Sequence, residues 1–288
     1  NRLLMRKISW ISSYPKSGNT YLRLFLSAYF YSNDGVMSDF KLIDNIFKIS
    51  GYRFLKNVKD IPSIQEFIDN PRLISQYWHV VQSEISKKIE NNLFIKTHDC
   101  MHKILDHRFT NEKFTKCFLY IVRDPRSVAV SYSHHMGYDY EKTINYLLNE
   151  NFIIMYKKED MTVPELVSSW SIHYNSWKEF VHKGNGLIIK YEDLVKNPLE
   201  EFSKILEFLK KFISFNIDKI KLVNSVESTL FENIKKLEIK TGFKEKPNAS
   251  KEFFRKGTTN EWKNILTVEQ IKLIEKKFRS EMRELNYL

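Results

Sequence analysis

The sequence predicts an α/β fold with a central, mainly parallel sheet flanked by helices. Short apolar runs typical of buried parallel strands alternate along the chain with helix-length segments. Several of these runs end in polar or charged residues, as in sheets that bind ligands beyond the carboxyl ends of their strands. Because no internal repeat, low-complexity tract or linker is evident, we expect one domain over residues 1–288.

The first elements are a strand, a tight loop and a helix. Ile8 to Ile11 is apolar and β-prone, Pro15 to Gly18 turns the chain, and Tyr21 to Leu26 continues as an apolar helix pattern. A helix start offers unpaired N–H groups and a positive dipole end, and Lys16 adds a cation, so this loop is predicted to hold a phosphate. It differs from the NTPase loop, in which the Lys follows the last Gly, because Lys16 precedes Gly18.

Three more buried strands are predicted at Leu93–His98, Cys117–Val122 and Gly186–Tyr191. The first ends in Lys96-Thr97-His98 and the second is followed by Arg123, so these side chains and the loop are expected to converge on one crevice. Helices are expected at Arg72–Glu90, Arg126–His135, Glu165–Lys183, Leu199–Lys211, twice within Asp218–Lys236, and from a Thr267 cap to Leu288. Asn33–Asp60 is predicted to be an excursion with short helices, and Gly242–Lys263 a long loop.

The composition limits the class of protein. The formal net charge is +11, from 46 Lys+Arg and 35 Asp+Glu, which suits an anionic ligand, a nucleic acid or a solvated basic exterior. The basic residues are spread along the chain, which weakens the nucleic-acid interpretation. Two cysteines argue against a disulfide scaffold and a thiolate zinc site. Since no apolar run approaches the roughly 20 residues of a membrane span and no signal-peptide pattern is evident, a cytoplasmic protein without a membrane span is expected.

Four segments, taken in order, resemble the sulfotransferases that use 3′-phosphoadenylyl sulfate (PAPS). They are Pro15-Lys16-Ser17-Gly18-Asn19-Thr20, Lys96-Thr97-His98, Tyr120 to Tyr132, and Phe254 to Asn264. Their order and spacing match the cytosolic type over nearly the whole chain. The resemblance implies the P-loop-nucleotide-hydrolase-like sulfotransferase fold. It also implies transfer of a sulfuryl group from PAPS to a hydroxyl or amine, with adenosine 3′,5′-bisphosphate (PAP) as product and no metal.

The resemblance also implies roles for particular residues. His98 is expected to be the general base, Lys16 to meet the leaving oxygen and Lys96 to reach the sulfuryl oxygens. The expected donor-binding residues are Lys16, Ser17, Gly18, Asn19, Thr20 and Tyr21 for the 5′-phosphate, Arg123, Ser131, Arg255, Lys256 and Gly257 for the 3′-phosphate, and Tyr191, Thr229 and Phe231 for adenine. The histidines other than His98 are expected to be structural or solvated.

The chain departs from the family pattern at several positions. Asn19-Thr20-Tyr21 stands where two Thr and a Trp are usual, and Asn260-Glu261 stands where a Gly-Asp pair is usual. Lys263 to Lys272 resembles the family's short dimer motif, but Lys272 replaces its Glu. In a two-fold interface this change would replace attraction with repulsion. We therefore expect a monomer, or a dimer built on another surface.

Other functions remain open from the sequence. A P-loop nucleotide or small-molecule kinase would depend on Mg²⁺-ATP, and a nucleic-acid-binding module would show a steep salt dependence of binding. The acceptor is expected to be a small molecule or a glycan, and its identity is not readable. It is expected to meet Asn33–Asp60, Gly137–Met161 and Lys236–Ser250, where the chain leaves the motif-bearing segments.

Overall fold

A computed structural model describes residues 7–55, 58–88, 94–246 and 252–288. Its strands are β1 (Ile8–Ser13), β2 (Phe47–Lys48), β3 (Phe94–Thr97), β4 (Thr115–Val122), β5 (Ile153–Ile154), β6 (Glu165–Leu166) and β7 (Gly186–Lys190). Its α-helices are α1 (Asn19–Tyr31), α2 (Ile64–Asp69), α3 (Trp78–Lys88), α4 (Pro125–Met136), α5 (Tyr140–Leu148), α6 (Trp170–Lys178), α7 (Tyr191–Lys196), α8 (Pro198–Lys210), α9 (Lys219–Thr229), α10 (Phe231–Thr241), α11 (Val268–Lys277) and α12 (Arg279–Glu284). Short 3-10 helices span Phe40–Asn45, Tyr52–Phe54, Pro71–Tyr77, Lys158–Asp160, Val181–Lys183 and Glu261–Asn264.

The central sheet has five strands in the order β2-β3-β1-β4-β7. β1 and β2 both pair with β3 in parallel, which places Ser12 opposite Thr97 and Lys48 opposite Lys96. β5 and β6 form a separate antiparallel pair. The predicted α/β class is confirmed, and each predicted strand is present, although Leu93 lies outside the described residues, His98 follows β3 and Tyr191 begins α7.

The chain divides into two compact units, each assembled from separate segments. Unit 1 comprises Asn1–Tyr14, Ile46–Tyr120 and Asn149–Ile188. Its core contains fully buried aromatic rings, with Trp10 and Phe109 at 4.9 Å and Phe118 and Trp177 at 5.3 Å between ring centroids. Trp177 is therefore a core residue of this unit.

Unit 2 comprises Pro15–Asn45, Ile121–Leu148 and Ile189–Leu288, so it contains the loop after β1 and the C-terminal helices. The apolar face of α1 packs into a core of eight buried residues, namely Leu24, Ala28, Met37, Phe40, Ile43, Ile234, Phe243 and Phe254. The prediction of a single domain stays a prediction. No helix in the described ranges is both long and apolar enough to cross a membrane.

The predicted helix over Glu165–Lys183 is wrong at its start. Glu165 lies in β6, and Ser168 has a positive φ of 67°, which breaks any helical path. The helix begins only at Trp170, where the Ser169 hydroxyl caps it by accepting from the N–H of Ile172. The apolar spacing continued across this break, so periodicity alone did not reveal the strand.

Other predicted boundaries also change. Pro71–Tyr77 is a 3-10 helix before α3 begins, and the two-residue strand β2 was not predicted. Thr267 caps the last helical region as expected, but α11 ends at Lys277 and α12 follows it. The edge strand β2 has only two residues, too few to show an alternating pattern in the sequence.

Candidate functional site

The loop after β1 contains two residues in left-handed backbone conformations. Lys16 and Gly18 both have positive φ values, of 67° and 102°, and Gly18 is the N-cap of α1, with no side chain capping the helix. A Cβ atom on Gly18 would lie 2.3 Å from Cδ2 of Tyr191, so the loop backbone rests against that ring. The first N–H groups of α1 have no partner within the helix, which leaves an anion-binding helix start.

Two buried hydrogen-bond donors at this loop lack a partner among the described residues. They are the hydroxyl of Ser17, a fully buried residue, and Nε of Arg123. The other Arg123 nitrogens donate to the carbonyls of Lys16, at 3.3 Å, and Thr258, at 3.1 Å. The Arg123 guanidinium also lies 4.4 Å from the ring centre of Tyr191. Buried donors without partners are costly, so these two groups fit a site that receives an oxyanion.

The side chain of Lys16 contacts two uncharged groups. Its Nζ lies 3.0 Å from Nδ1 of His135 on α4 and 4.8 Å from the ring centre of Phe253. Burial, followed by the nearby Arg123 charge, lowers the pKa of Lys16 to about 7. The cation therefore titrates close to neutral pH.

The C-terminal loop places Arg255 and Lys256 on one carboxylate. Glu261 accepts from both terminal nitrogens of Arg255, one of them at 2.7 Å, and lies 2.9 Å from Nζ of Lys256. The Arg255 hydrogen bonds are the main cause that lowers the pKa of Glu261 to about 2. Gly257 has a φ of 64°, and a Cβ there would lie 2.5 Å from the ring of Phe231, so these two predicted residues are in contact.

The remaining predicted donor-binding residues have separate environments in unit 2. Tyr21 packs edge-on against Phe202, with ring centroids 5.4 Å apart. Thr229 is fully buried at the end of α9, and its hydroxyl donates to the carbonyl of Ser225 at 2.6 Å. Asn19 and Thr20 form the first turn of α1, and Ser131 is half-buried on α4. Their predicted roles stay predictions.

His98, directly after β3 in unit 1, has a defined tautomer. Its Nδ1 lies 2.7 Å from the carbonyl oxygen of Ser13, which can only accept, so Nδ1 carries the proton and Nε2 keeps its lone pair. Burial, together with the charge of Lys96, holds the pKa of His98 well below its ordinary value, although Glu165 opposes the shift. The imidazole is therefore neutral near neutral pH, with its lone pair at Nε2.

A fully buried carboxylate, Glu165, holds the groups around His98. It accepts from the backbone N–H of His98 at 3.2 Å and the hydroxyl of Tyr156 at 2.5 Å, and it pairs with Lys48 at 3.4 Å and Lys96 at 3.8 Å. Burial alone would raise the pKa of Glu165, but the two lysines hold it below its ordinary value. Sequence reasoning missed Glu165, Lys48 and Tyr156, since none of them belongs to a motif and Glu165 was assigned to a helix.

The structure thus assembles the predicted residues in two groups. In unit 1, Lys96 and His98 lie beside Glu165; in unit 2, the Pro15–Tyr21 loop lies against Arg123 and Tyr191. The predicted convergence of all these residues on one crevice stays a prediction. Within the described part of the chain, no cluster of three or more His, Cys, Asp or Glu side chains could hold a metal ion.

The Gly18 backbone gives a first testable prediction. Gly18→Ala is expected to lower the free energy of unfolding by about 2–3 kcal/mol, because the new Cβ adds a clash with Tyr191 to the strain of a positive φ. The matched control is Gly184→Ala, where φ is 80° but no atom lies within 4 Å of the new Cβ. Urea denaturation should show a loss of about 1 kcal/mol for that control. Equal losses in the two variants would show that the Tyr191 contact contributes nothing.

Two of the known proteins that this chain resembles are mouse sulfotransferases. Mouse Sulfotransferase 1B1 is 27% identical over 280 residues, which covers 94% of this chain and 81% of that protein. Mouse Sulfotransferase 2A6 is 30% identical over 173 residues, 57% of this chain, and the match spans only about 55% of that protein's length.

Two solved structures of similar fold are complexes with PAP. Retinol dehydratase in a complex with retinol and PAP gives a TM-score of 0.63 at 18% identity, covering 97% of this chain and 82% of that one. Mouse sulfotransferase SULT7A1 complexed with PAP gives 0.59 at 20% identity, covering 96% and 85%. At such identities the likeness supports the fold alone. The family model of the sulfotransferase domain matches residues 6–286, nearly the entire sequence, and this chain therefore belongs to the sulfotransferase domain family.

Proposed function

We propose that this protein transfers a sulfuryl group from PAPS to a hydroxyl or amine of a small-molecule or glycan acceptor. The observation that carries the proposal is a pair of buried donors, Ser17 Oγ and Arg123 Nε, that have no hydrogen-bond partner among the described residues. They lie at a helix start that also presents Lys16. Together these groups fit a nucleotide with phosphates at two positions. Membership of the sulfotransferase family supports the same reaction.

In this reaction the S–O bond to the 5′-phosphate of PAPS breaks while a bond from sulfur to the acceptor oxygen or nitrogen forms. Negative charge develops on the leaving phosphate oxygen, which the α1 N–H groups and the Lys16 ammonium would stabilise. Arg123, with Arg255 and Lys256, would hold the 3′-phosphate, and the latter two would exchange their bonds to Glu261 for it. Positioning and charge then supply most of the rate, as in phosphoryl transfer.

His98 would accept the acceptor's proton at Nε2. Its Nδ1–H bond to the Ser13 carbonyl fixes the ring and the tautomer, so the basic nitrogen needs no rearrangement. Glu165 would keep the Lys96 ammonium beside the base as a positioned cation for the sulfuryl oxygens. A small-molecule or glycan acceptor, a cytoplasmic location, and a monomer or a dimer away from the Lys263–Lys272 motif stay predictions.

Donor binding can be tested without knowing the acceptor. Calorimetry in the presence of a chelator should show that PAP binds wild-type protein more tightly than adenosine 5′-monophosphate, which lacks the 3′-phosphate. In Arg123→Ala, the ratio of these two affinities should fall at least about tenfold, because a charged hydrogen-bond partner of the phosphate is lost. Failure of PAP to bind, or equal binding of ATP, would rule out the proposed donor and favour a kinase.

A further inference from the structure

The contact between Lys16 and His135 is a feature that the reaction described above does not use. His135 lies on α4, far from the loop in sequence, yet its Nδ1 is 3.0 Å from Nζ of Lys16. The His135 ring also packs edge-on against Phe253, with centroids 5.9 Å apart, and Phe253 presents its face to Lys16. The histidine is therefore fixed by packing at the point where it meets the ammonium.

The direction of this hydrogen bond follows from the charges. Burial, followed by the charge of Lys16, lowers the pKa of His135 to about 3, so the imidazole is neutral at ordinary pH. Nδ1 must then accept while Lys16 donates, and His135 carries its own proton on Nε2. Because an ammonium has three N–H donors, the bond to His135 leaves two for a ligand.

The groups in direct contact with Lys16, a neutral histidine and a phenyl ring, do not neutralise its charge. Among the charged neighbours, Arg123, from the turn between β4 and α4, lowers the pKa of Lys16, and Glu245, from the segment after α10, raises it. Glu245 binds Arg23 of α1 through both oxygens, at 3.1 and 2.8 Å. Lys16 is thus held by an uncharged acceptor and a ring face, neither of which neutralises it.

We propose that His135 is a positioning residue for Lys16: by accepting a hydrogen bond from the ammonium, it fixes the cation at the loop and favours the protonated form that binds the 5′-phosphate of the donor. This inference rests on the proposed function, because it takes PAPS as the donor. It assigns to His135 a role that its sequence context does not indicate. The residue acts through Lys16 and need not touch the nucleotide.

The test is the pH dependence of PAP binding, measured by calorimetry from about pH 6 to 9. Wild-type affinity should fall as the pH rises through about 7, where Lys16 loses its proton. His135→Phe keeps a ring against Phe253 but removes the acceptor, so the fall should move to lower pH and affinity at about pH 8 should drop about tenfold, for a shift of one pKa unit. His135→Gln keeps an acceptor oxygen and should stay near wild type.

Two further comparisons separate positioning from structure. In a Lys16→Met background the pH-dependent fall should vanish, and adding His135→Phe should change affinity less than about twofold, since the effect passes through the ammonium. His102→Phe, an exposed histidine in unit 1, should keep the wild-type curve.

Each alternative result has a distinct meaning. A wild-type protein that does not bind PAP overturns the proposed function and this inference with it. If wild type binds PAP but His135→Phe gives the same curve, or binds more tightly, the inference alone is overturned. Equal losses for His135→Phe with and without Lys16, or an equal loss for His135→Gln, would show a structural role and would also overturn it.

Discussion

His98→Ala is expected to reduce sulfuryl transfer at least about a hundredfold while leaving PAP affinity nearly unchanged. The reason is that Nε2 of His98 is the lone-pair nitrogen, fixed by the Nδ1–H bond to Ser13, whereas the predicted phosphate ligands belong to other residues. Turnover would be measured with labelled PAPS and an acceptor that wild type sulfates, and affinity by calorimetry. His102→Ala, at an exposed histidine, is the control and should keep wild-type turnover.

The pH dependence gives a second readout of the same base. Since the pKa of His98 lies well below the ordinary 6.5, the imidazole is already neutral at pH 7 and transfer should not decline between pH 7 and 6.5. Transfer should fall only at lower pH, as the imidazole becomes protonated. If His98→Ala kept more than about a tenth of wild-type turnover, or if wild-type activity were lost with a midpoint near 6.5, a different group would have to be the base.

Glu165→Ala is expected to lower the free energy of unfolding by about 3–5 kcal/mol, because it leaves the buried Lys96 and the half-buried Lys48 without their carboxylate. The Tyr156 hydroxyl and the His98 N–H would also lose their acceptor. Urea denaturation at pH 7 would measure the loss. Glu179→Gln is the matched control in the same unit, because Glu179 pairs with Arg108 through a side chain that is 61% exposed. This control should lower the free energy of unfolding by less than about 1 kcal/mol.

The sign of the pH effect adds a check on Glu165. Its folded-state pKa lies below the ordinary 4.5, so its stabilisation is fully present above pH 4.5 and is lost as the pH falls below that value. The stability difference between wild type and Glu165→Ala should therefore shrink in acid. A gap that stayed constant below pH 4.5, or a loss no larger than that of Glu179→Gln, would contradict the assignment of Glu165 as the charge partner of the two lysines.

Asp99 has the opposite linkage in the same network. Burial, followed by the Glu165 charge, raises the pKa of Asp99 to about 7, so ionising it costs stability as the pH rises from its ordinary 3.8 towards 7. Its carboxylate accepts from the Thr97 hydroxyl and the Leu166 N–H, which ties the end of β3 to β6. The pH dependence of the free energy of unfolding is therefore the sum of two opposite contributions from this network. The contribution of Glu165 grows as the pH rises, and that of Asp99 declines.

Local sequence was sufficient for the elements that carry the motifs. The run Ile8 to Ile11, the turn at Gly18 and the apolar helix after it require only neighbouring residues, because strand alternation, turn geometry and helix starts are short-range effects. The same holds for Asp124 and Pro125, which cap and begin α4. The fold class and the family therefore followed from the sequence.

The predicted boundary of an element was wrong where the local hydrophobic pattern fitted both a helix and a strand. The segment from Glu165 kept a helix-like spacing, but its first two residues pair with Ile153 and Ile154 as a strand. That choice depends on a partner strand elsewhere in the chain, so the segment's own pattern could not determine it.

The tautomers and pKa shifts of the site residues depend on tertiary contacts alone. His98 meets Glu165 67 residues later, and Lys16 meets His135 across 119 residues. Neither partner carries a motif, and the burial and neighbouring charges that shift the pKa values of these groups exist only after the chain has packed. The sequence by itself therefore determined which residues could act on a phosphate or a proton, whereas packing determined which neighbours fix their tautomer, charge and position.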